Sequence, residues 1–235
     1  MDSDLRQSMF RYYDERAPEY EEAYLLGTGT ASIRDPRVFQ AEASLLGPIV
    51  ERFGRGRIID IACGTAYWLP HYARRCTHIT LLDQSEKMLD ESRKKAAAFG
   101  VLDRCSIVCA DFFDYQFAKG SCDSALIGFL FSHLTVEQER LAFARLEALL
   151  GEDGEFLILD SAWSLQRAQV NAKVEHQERQ LNDGTRFDIY KRYFDEEDIR
   201  RWGDSYGVML RVEHFGAAFL AVSGRFVSGR IAREA

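Results

Sequence analysis

Three aspartates, Asp60, Asp83 and Asp111, each stand at the end of a short apolar run in the first half of a 235-residue chain. A carboxylate accepts several hydrogen bonds at once, so an acid at a strand end suits vicinal hydroxyls, an amino group or an exocyclic amine. Asp60 closes "RIID" and is followed by Ala62, Gly64 and Ala66, small residues that let a ligand approach the main chain. Asp83 closes "HITLLD" nineteen residues after Gly64, with Gln84 beside it as support. That is the spacing at which a nucleotide-binding fold sets a carboxylate against ribose hydroxyls. Asp111 closes "RCSIVCAD" and is followed by Phe112, which places an acceptor for an exocyclic amine next to a flat apolar ring suited to a purine. The three acids together imply an adenosine-type cofactor. A helix starting near Thr65 would aim its free N–H groups at that ligand.

These residues need strands to carry them and helices to space them. Apolar runs at 57–62, 78–83, 104–110, 123–129 and 155–160 read as buried strands, and helical patterns at 67–75, 85–99 and 135–150 alternate with them. Such alternation predicts an α/β fold with a doubly wound, mostly parallel sheet. Gly100 and Gly151 serve as helix stops, Thr135 with Gln138 as a capping box, and Asp35 with Pro36 as a helix start. Beyond Asp160 the pattern changes. Alternating runs on either side of Asn182, Asp183 and Gly184 predict a hairpin, read as a small antiparallel cap or a dimer-contacting flap. Asp195 caps a further helix, and two final strands meet near Phe215 and Gly216.

With Asp60, Ala62, Gly64 and Ala66 standing where a D-x-G-x-G-x-G motif would stand, and with "DQSEKMLDESRKK" and "ADFFD" at the following positions, the chain resembles the class I S-adenosylmethionine-dependent methyltransferases. Two of that motif's three glycines are alanine here. The resemblance covers about Tyr12 to Gly224, with 163–193 the least typical stretch. It implies a Rossmann-like sheet of seven strands, an N-terminal helical lid over 1–54, a cofactor-binding core over 55–162 and 195–228, and an inserted cap hairpin over 163–194. It further implies that S-adenosylmethionine is the cofactor, held by Tyr20, Asp60, Ala62, Gly64, Asp83, Gln84, Met88, Asp111, Phe112, Gly128 and Phe129. In this scheme Asp60 serves the amino group, often through water, while Gly128 and Phe129 border the methionine moiety.

The segment "IGFLFSHL" follows the fourth strand, where the resemblance puts the space between methyl group and acceptor. His133 is the catalytic candidate there, as a base for a hydroxyl or amine acceptor. Tyr12, Tyr13 and Tyr20 are candidates to close over the site. Phe113, Phe129, Phe131, Trp163, Tyr190 and Tyr193 are candidates for an apolar acceptor pocket. The function expected is in-line methyl transfer to a small-molecule O or N acceptor. A protein acceptor and a non-catalytic S-adenosylmethionine-binding protein are the alternatives. A dinucleotide oxidoreductase fits poorly, because Tyr67 falls where the third glycine of that motif must let helix and strand pack closely.

Composition narrows the partners. Thirty basic against thirty-seven acidic residues give a formal charge of −7, which disfavours a nucleic-acid partner. No apolar run is long enough for a membrane span, and the first residues lack a signal-peptide pattern, so a cytoplasmic protein is expected. Five cysteines, odd in number and without close pairs, read as plain thiols, and no metal site is expected. A homodimer is one reading of the flap.

Overall fold

The computed structural model describes residues 3–22, 33–167 and 172–227. The parts of the expected lid at 1–2 and 23–32, of the cap insertion at 168–171 and of the core at 228 lie outside the described residues.

Five strands run parallel: β1 (Gly56–Ile61), β2 (Cys76–Asp83), β3 (Cys105–Cys109), β4 (Cys122–Gly128) and β5 (Leu150–Ser161). β8 (Val208–Phe215) and β9 (Phe219–Phe226) complete a seven-stranded sheet in the order β3-β2-β1-β4-β5-β9-β8, with β9 antiparallel to β5 and to β8. The doubly wound, mostly parallel sheet of the sequence reading is therefore present. Its middle strands, buried on both faces, read as continuous apolar runs, as the parallel arrangement requires.

Helices cover the two faces. α1 (Ser3–Arg16) opens the described chain and α2 (Pro36–Phe53) follows. A single turn, α3 (Leu69–Tyr72), precedes α4 (Glu86–Ala98), α5 (Val136–Leu149) and α6 (Glu196–Tyr206). Leu46, Ile49 and Val50 of α2 join one core layer with Ile58, Ile79 and Leu81, while Phe143, Leu146 and Trp202 join the opposite layer with Ile59, Ala125 and Ile158. The starts read from sequence hold: the Asp35 side chain accepts from the Arg37 N–H, and Thr135 with Gln138 and Asp195 with Asp198 both form reciprocal capping boxes.

The two helices of the first 54 residues do different things. α2 is packed as a layer of the sheet, whereas α1 lies over the strand ends against a separate ribbon, β6 (Val174–Gln180) paired antiparallel with β7 (Arg186–Arg192). The hairpin turn falls at 181–185, with Gly184 at φ +92°. Met9 and Tyr12 of α1 are buried with Leu181, Phe187 and Ile189, so the apolar face of the ribbon packs on α1. Its far end is tied down by a buried ion pair, Arg192 to Glu139 of α5 at 2.9 Å, with Arg201 and the Tyr206 hydroxyl on the same carboxylate. Breaking so buried a pair would strand a charge.

Candidate active site

The carboxyl ends of β1 to β4 open into a cavity roofed by α1, which is where an open α/β sheet binds ligands. Ala62, Gly64, Asp83, Gln84, Met88, Asp111, Phe112, Gly128, Phe129, His133 and Tyr20 all line it. Of the cofactor-binding residues and the base read from the sequence, all except Asp60 are brought together there, whereas Tyr12, expected to close over the site, is packed in the core beneath the ribbon.

The turn after β1 takes an unusual path. Ala62, Gly64 and Ala66 all hold left-handed backbone, at φ +53°, +55° and +54°. Side-chain-bearing residues pay for that conformation, of order 1 kcal/mol each. The helix expected near Thr65 does not form; the chain turns through 62–68 and first becomes helical at Leu69, for four residues. Most N–H groups of this turn are used within the protein: Cys63 donates to the Leu82 carbonyl, Gly64 to Asp83 and Ala66 to the Cys63 carbonyl, so the turn does not replace the free donors expected of a helix end. Tyr20 covers the turn: a Cβ added at Gly64 would lie 3.4 Å from its ring. Glu21 anchors this covering, accepting from Thr65 Oγ1 at 2.6 Å and from Lys95.

Asp83 is fixed by the same turn. Its Oδ2 accepts the Gly64 N–H at 2.9 Å and its Oδ1 accepts the Ser85 N–H at 2.9 Å. Burial raises its pKa, and those backbone donors act against the rise. Each oxygen keeps lone-pair capacity toward the cavity, as acceptance from two vicinal hydroxyls requires. Asp111 likewise accepts its own turn's N–H, from Phe113 at 2.8 Å, but its Oδ2 is also held by Arg6 of α1 at 2.6 Å. Phe112 and Met88, both buried, supply the flat apolar walls.

Asp60 stands apart because its carboxylate turns inward. It is 2% exposed and accepts the Tyr72 hydroxyl at 2.8 Å, and burial pushes its pKa up to about 7. The sequence shows a strand-end acid but not the partner from α3 that draws it under the turn. Cys63, inside the turn, is a buried free thiol whose pKa burial raises, which opposes thiolate chemistry.

A second cavity continues from the first, sharing Tyr13, Tyr20, Phe129 and His133 as the dividing wall. His133, the expected base, is only 8% exposed, with both ring nitrogens engaged. Nδ1 lies 2.8 Å from the Tyr190 carbonyl and must donate to it, leaving Nε2 to accept the Tyr13 hydroxyl at 2.6 Å. Burial, with Lys191 nearby, drives the His133 pKa well below 6.5, so the imidazole is neutral at physiological pH. Burial raises the Tyr13 pKa as well, so both shifts oppose proton transfer within the pair.

Of the expected acceptor-pocket aromatics, Phe113 and Phe129 line the first cavity, and Phe129 and Tyr193 the second. Phe131 is core, packed on Phe143 and Trp202, and neither cavity is lined by Trp163 or Tyr190. The sequence reading missed the cations of the second cavity: Arg16, Arg167, Arg179 and Lys191. One signal for them existed. Lys191 continues the alternation of Phe187 and Ile189, a lysine in the register of an inward apolar face.

Among the described residues no helix is long and apolar enough to cross a membrane. Residues 58–154 match the family described as a methyltransferase domain. An uncharacterized methyltransferase of Bacillus licheniformis is 24% identical over 185 residues, 77% of this chain and 79% of that protein. Among solved structures, a DhpI-SAH complex superposes with a TM-score of 0.77 at 20% identity, covering 97% of this chain and all of that one. The 1,6-didemethyltoxoflavin-N1-methyltransferase of Burkholderia thailandensis superposes with a TM-score of 0.59 at 16% identity, covering 92% of this chain and 89% of that one. A strand order with β9 between β5 and β8 and the acid-ended strands agree with these matches: residues 58–154 form a methyltransferase domain, and the chain has the fold of the S-adenosylmethionine-dependent methyltransferases.

Proposed function

We propose that the protein transfers the methyl group of S-adenosylmethionine to an O or N atom of a small molecule held in the second cavity. The observation that carries this reading is the shared wall of Tyr13, Tyr20, Phe129 and His133, which separates an acid-lined cavity from a cation-lined one beside it. In this reading Asp83 and Gln84 take the ribose, Asp111, Phe112 and Met88 the adenine, and Ala62, Gly64, Tyr20, Gly128 and Phe129 the methionine part. Asp60 positions the Gly64 turn from below. The sulfonium supplies a good leaving group, and the acceptor's lone pair attacks the methyl carbon in line, leaving S-adenosylhomocysteine.

The protein's contribution is then chiefly proximity and exclusion of water. A neutral, deeply depressed imidazole is a weak base, so His133 acts here by fixing the Tyr13 hydroxyl. That hydroxyl, donating to His133, keeps lone pairs free to accept from an acceptor's O–H or N–H. The cover that α1 and the β6–β7 ribbon give to the second cavity favours a small acceptor over a protein segment. α1 and the ribbon form the lid and cap in this reading, and five free thiols fit a reducing cytoplasm.

Calorimetry with S-adenosylmethionine, S-adenosylhomocysteine and NAD tests the cofactor step: micromolar binding of the first two and none of NAD is expected. Tight NAD binding without heat from either sulfur compound would reject it. A screen of small acceptors for S-adenosylhomocysteine release tests turnover, and its absence with every acceptor would favour the non-catalytic binder.

A further inference from the structure

The second cavity is positively charged in a protein whose formal charge is −7. Arg16, Arg167, Arg179 and Lys191 all line it, together with Ser161 and Tyr193. Arg16, Arg167 and Lys191 are each less than a tenth exposed. Buried cations are costly unless anions or full sets of acceptors meet them.

For Lys191 and Arg179 the acceptors present fall short. Lys191 Nζ has the Ser132 hydroxyl at 2.6 Å, a neutral partner. Arg179 reaches the Gln177 side chain through one terminal nitrogen, while its Nε is sealed from solvent with no hydrogen-bond partner. Arg167 donates to the carbonyls of Ala162 and Ala218, both at 2.6 Å. The nearby carboxylates are committed to backbone: Asp160 accepts the Ser132 and Ser161 N–H groups, and Glu42 accepts those of Ala217, Ala218 and Phe219. Among the described residues no carboxylate is within ion-pairing distance of Lys191 or Arg179.

We propose that this cavity binds the acidic group of the methyl acceptor, a small oxyanion of the phosphate or carboxylate kind, between the Lys191 ammonium and the Arg179, Arg167 and Arg16 guanidinium groups. The inference rests on the methyl-transfer reading above and names the substrate class for it. The cofactor's own carboxylate accounts for at most one charge, at the Tyr20 and Arg16 side where the cavities join. Lys191 and Arg179, on the ribbon, remain for the acceptor. Planar guanidinium groups suit either anion as paired donors, and an ammonium serves as a point charge between them.

The ammonium also gives a pH signature. Burial lowers the Lys191 pKa to about 7, with Asp160 acting upward and Arg179, Arg167 and Arg16 acting downward. Glu175 faces it across the ribbon register, bonded to Gln177, and His133 stays neutral. An anion favours the charged form, so binding takes up a proton near pH 7 and weakens as pH rises toward 8.5.

The test is calorimetry on the 235-residue protein, saturated first with S-adenosylhomocysteine and then titrated with inorganic phosphate or with acetate at pH 6.5 and constant chloride. A saturable heat is expected from at least one anion, weakened tenfold or more in Lys191→Met and in Arg179→Gln, with S-adenosylhomocysteine affinity kept within about twofold. Two variants on different strands guard against one that misfolds, and circular dichroism reports which have folded. Binding of phosphate alone assigns a phosphorylated or phosphonylated acceptor, of acetate alone a carboxylic acid, and of both a site read by charge; each sustains the proposal. It is overturned if neither anion binds while S-adenosylhomocysteine does, or if affinity is unchanged in the folded variants. It is equally overturned if S-adenosylhomocysteine abolishes anion binding, which would give the cations to the cofactor's carboxylate. Absence of S-adenosylhomocysteine binding itself would instead reject the methyl-transfer reading.

Discussion

The two cavities that meet at Phe129 and His133 are built from opposite chemistry by different parts of the chain. The first is lined by carboxylates at strand ends, each held by backbone donors of its own or a neighbouring turn. The second is lined by cations from α1, the 162–167 segment and the β6–β7 ribbon, held by neutral side chains, carbonyls and aromatic faces. In the proposed reading, the sheet supplies recognition of the constant cofactor, whereas elements added around it supply recognition of the acceptor. Mutations that weaken one cavity should therefore leave the other's affinity nearly intact.

The largest expected effect breaks the first cavity at its best-held acid. Asp83→Ala removes the acceptor for two ligand hydroxyls, and charge-assisted hydrogen bonds are worth roughly 1.5–3 kcal/mol each before water replaces part of them. S-Adenosylmethionine affinity should fall by about tenfold to a few hundredfold by calorimetry. Parental affinity in a folded Asp83→Ala protein would move the ribose site elsewhere.

Asp60 separates the buried support of that cavity from its wall. Its folded pKa, about 7, lies above the ordinary carboxylate value, so the folded protein holds the proton more tightly. Stability from this group is present at low pH and lost as pH rises from about 4 through 7. Asp60→Asn keeps an acceptor for the Tyr72 hydroxyl without the charge, so it should melt higher than the parent at pH 8.5, by order 2 kcal/mol, by less at pH 5, and about equally at pH 3.5. Equal melting of parent and variant at pH 8.5 would mean that the carboxylate is solvated after all.

His133→Gln sharpens the wall. If the imidazole only orients Tyr13, turnover should fall about tenfold, and the parent should show no acidic limb from His133 between pH 6 and 8, its pKa lying well below that range. A limb near pH 6.5 that vanishes in the variant would restore His133 as the base. The smallest effect is at Arg6, whose exposed ion pair with Asp111 ties α1 across the first cavity and competes for the adenine-side oxygen. Exposed pairs are worth about 0.2–1 kcal/mol, so Arg6→Ala should tighten cofactor binding a few-fold at most, and less at high salt. Weaker binding in that variant would instead give Arg6 a direct contact with the cofactor.

The same contrast explains what could be read from the sequence. Asp83, Asp111 and Gly64 were legible because a parallel strand is one apolar run, and its end is marked by the first polar residue. The boundaries of β4, α5 and α6 followed from caps and periodicity for the same local reason. Ala62 and Ala66 hid their left-handed backbone behind residues that favour right-handed conformations, so a helix was expected where a turn occurs. His133 looked accessible because nothing local links it to Tyr13, 120 residues away, or to the Tyr190 carbonyl. The basic cavity was illegible for the same reason: Arg16, Arg167, Arg179 and Lys191 come together only after α1 has docked on the ribbon.

Strand order carries a consequence for the birth of the fold. β9 lies between β5 and β8, so the side of β5 away from β4 has no partner until residues 219–226 have left the ribosome and slipped into place. The closing turn then docks on a helix made much earlier, because Glu42 of α2 accepts the N–H groups of Ala217, Ala218 and Phe219. A nascent chain stopped near residue 207 would carry an open, apolar β-edge, Phe156 to Leu159, of the kind that recruits other strands. The few seconds of translation between residue 207 and residue 226, at about 5–20 residues per second, are thus when this sheet is most exposed to aggregation, and chaperone occupancy along its synthesis should peak just before β9 emerges.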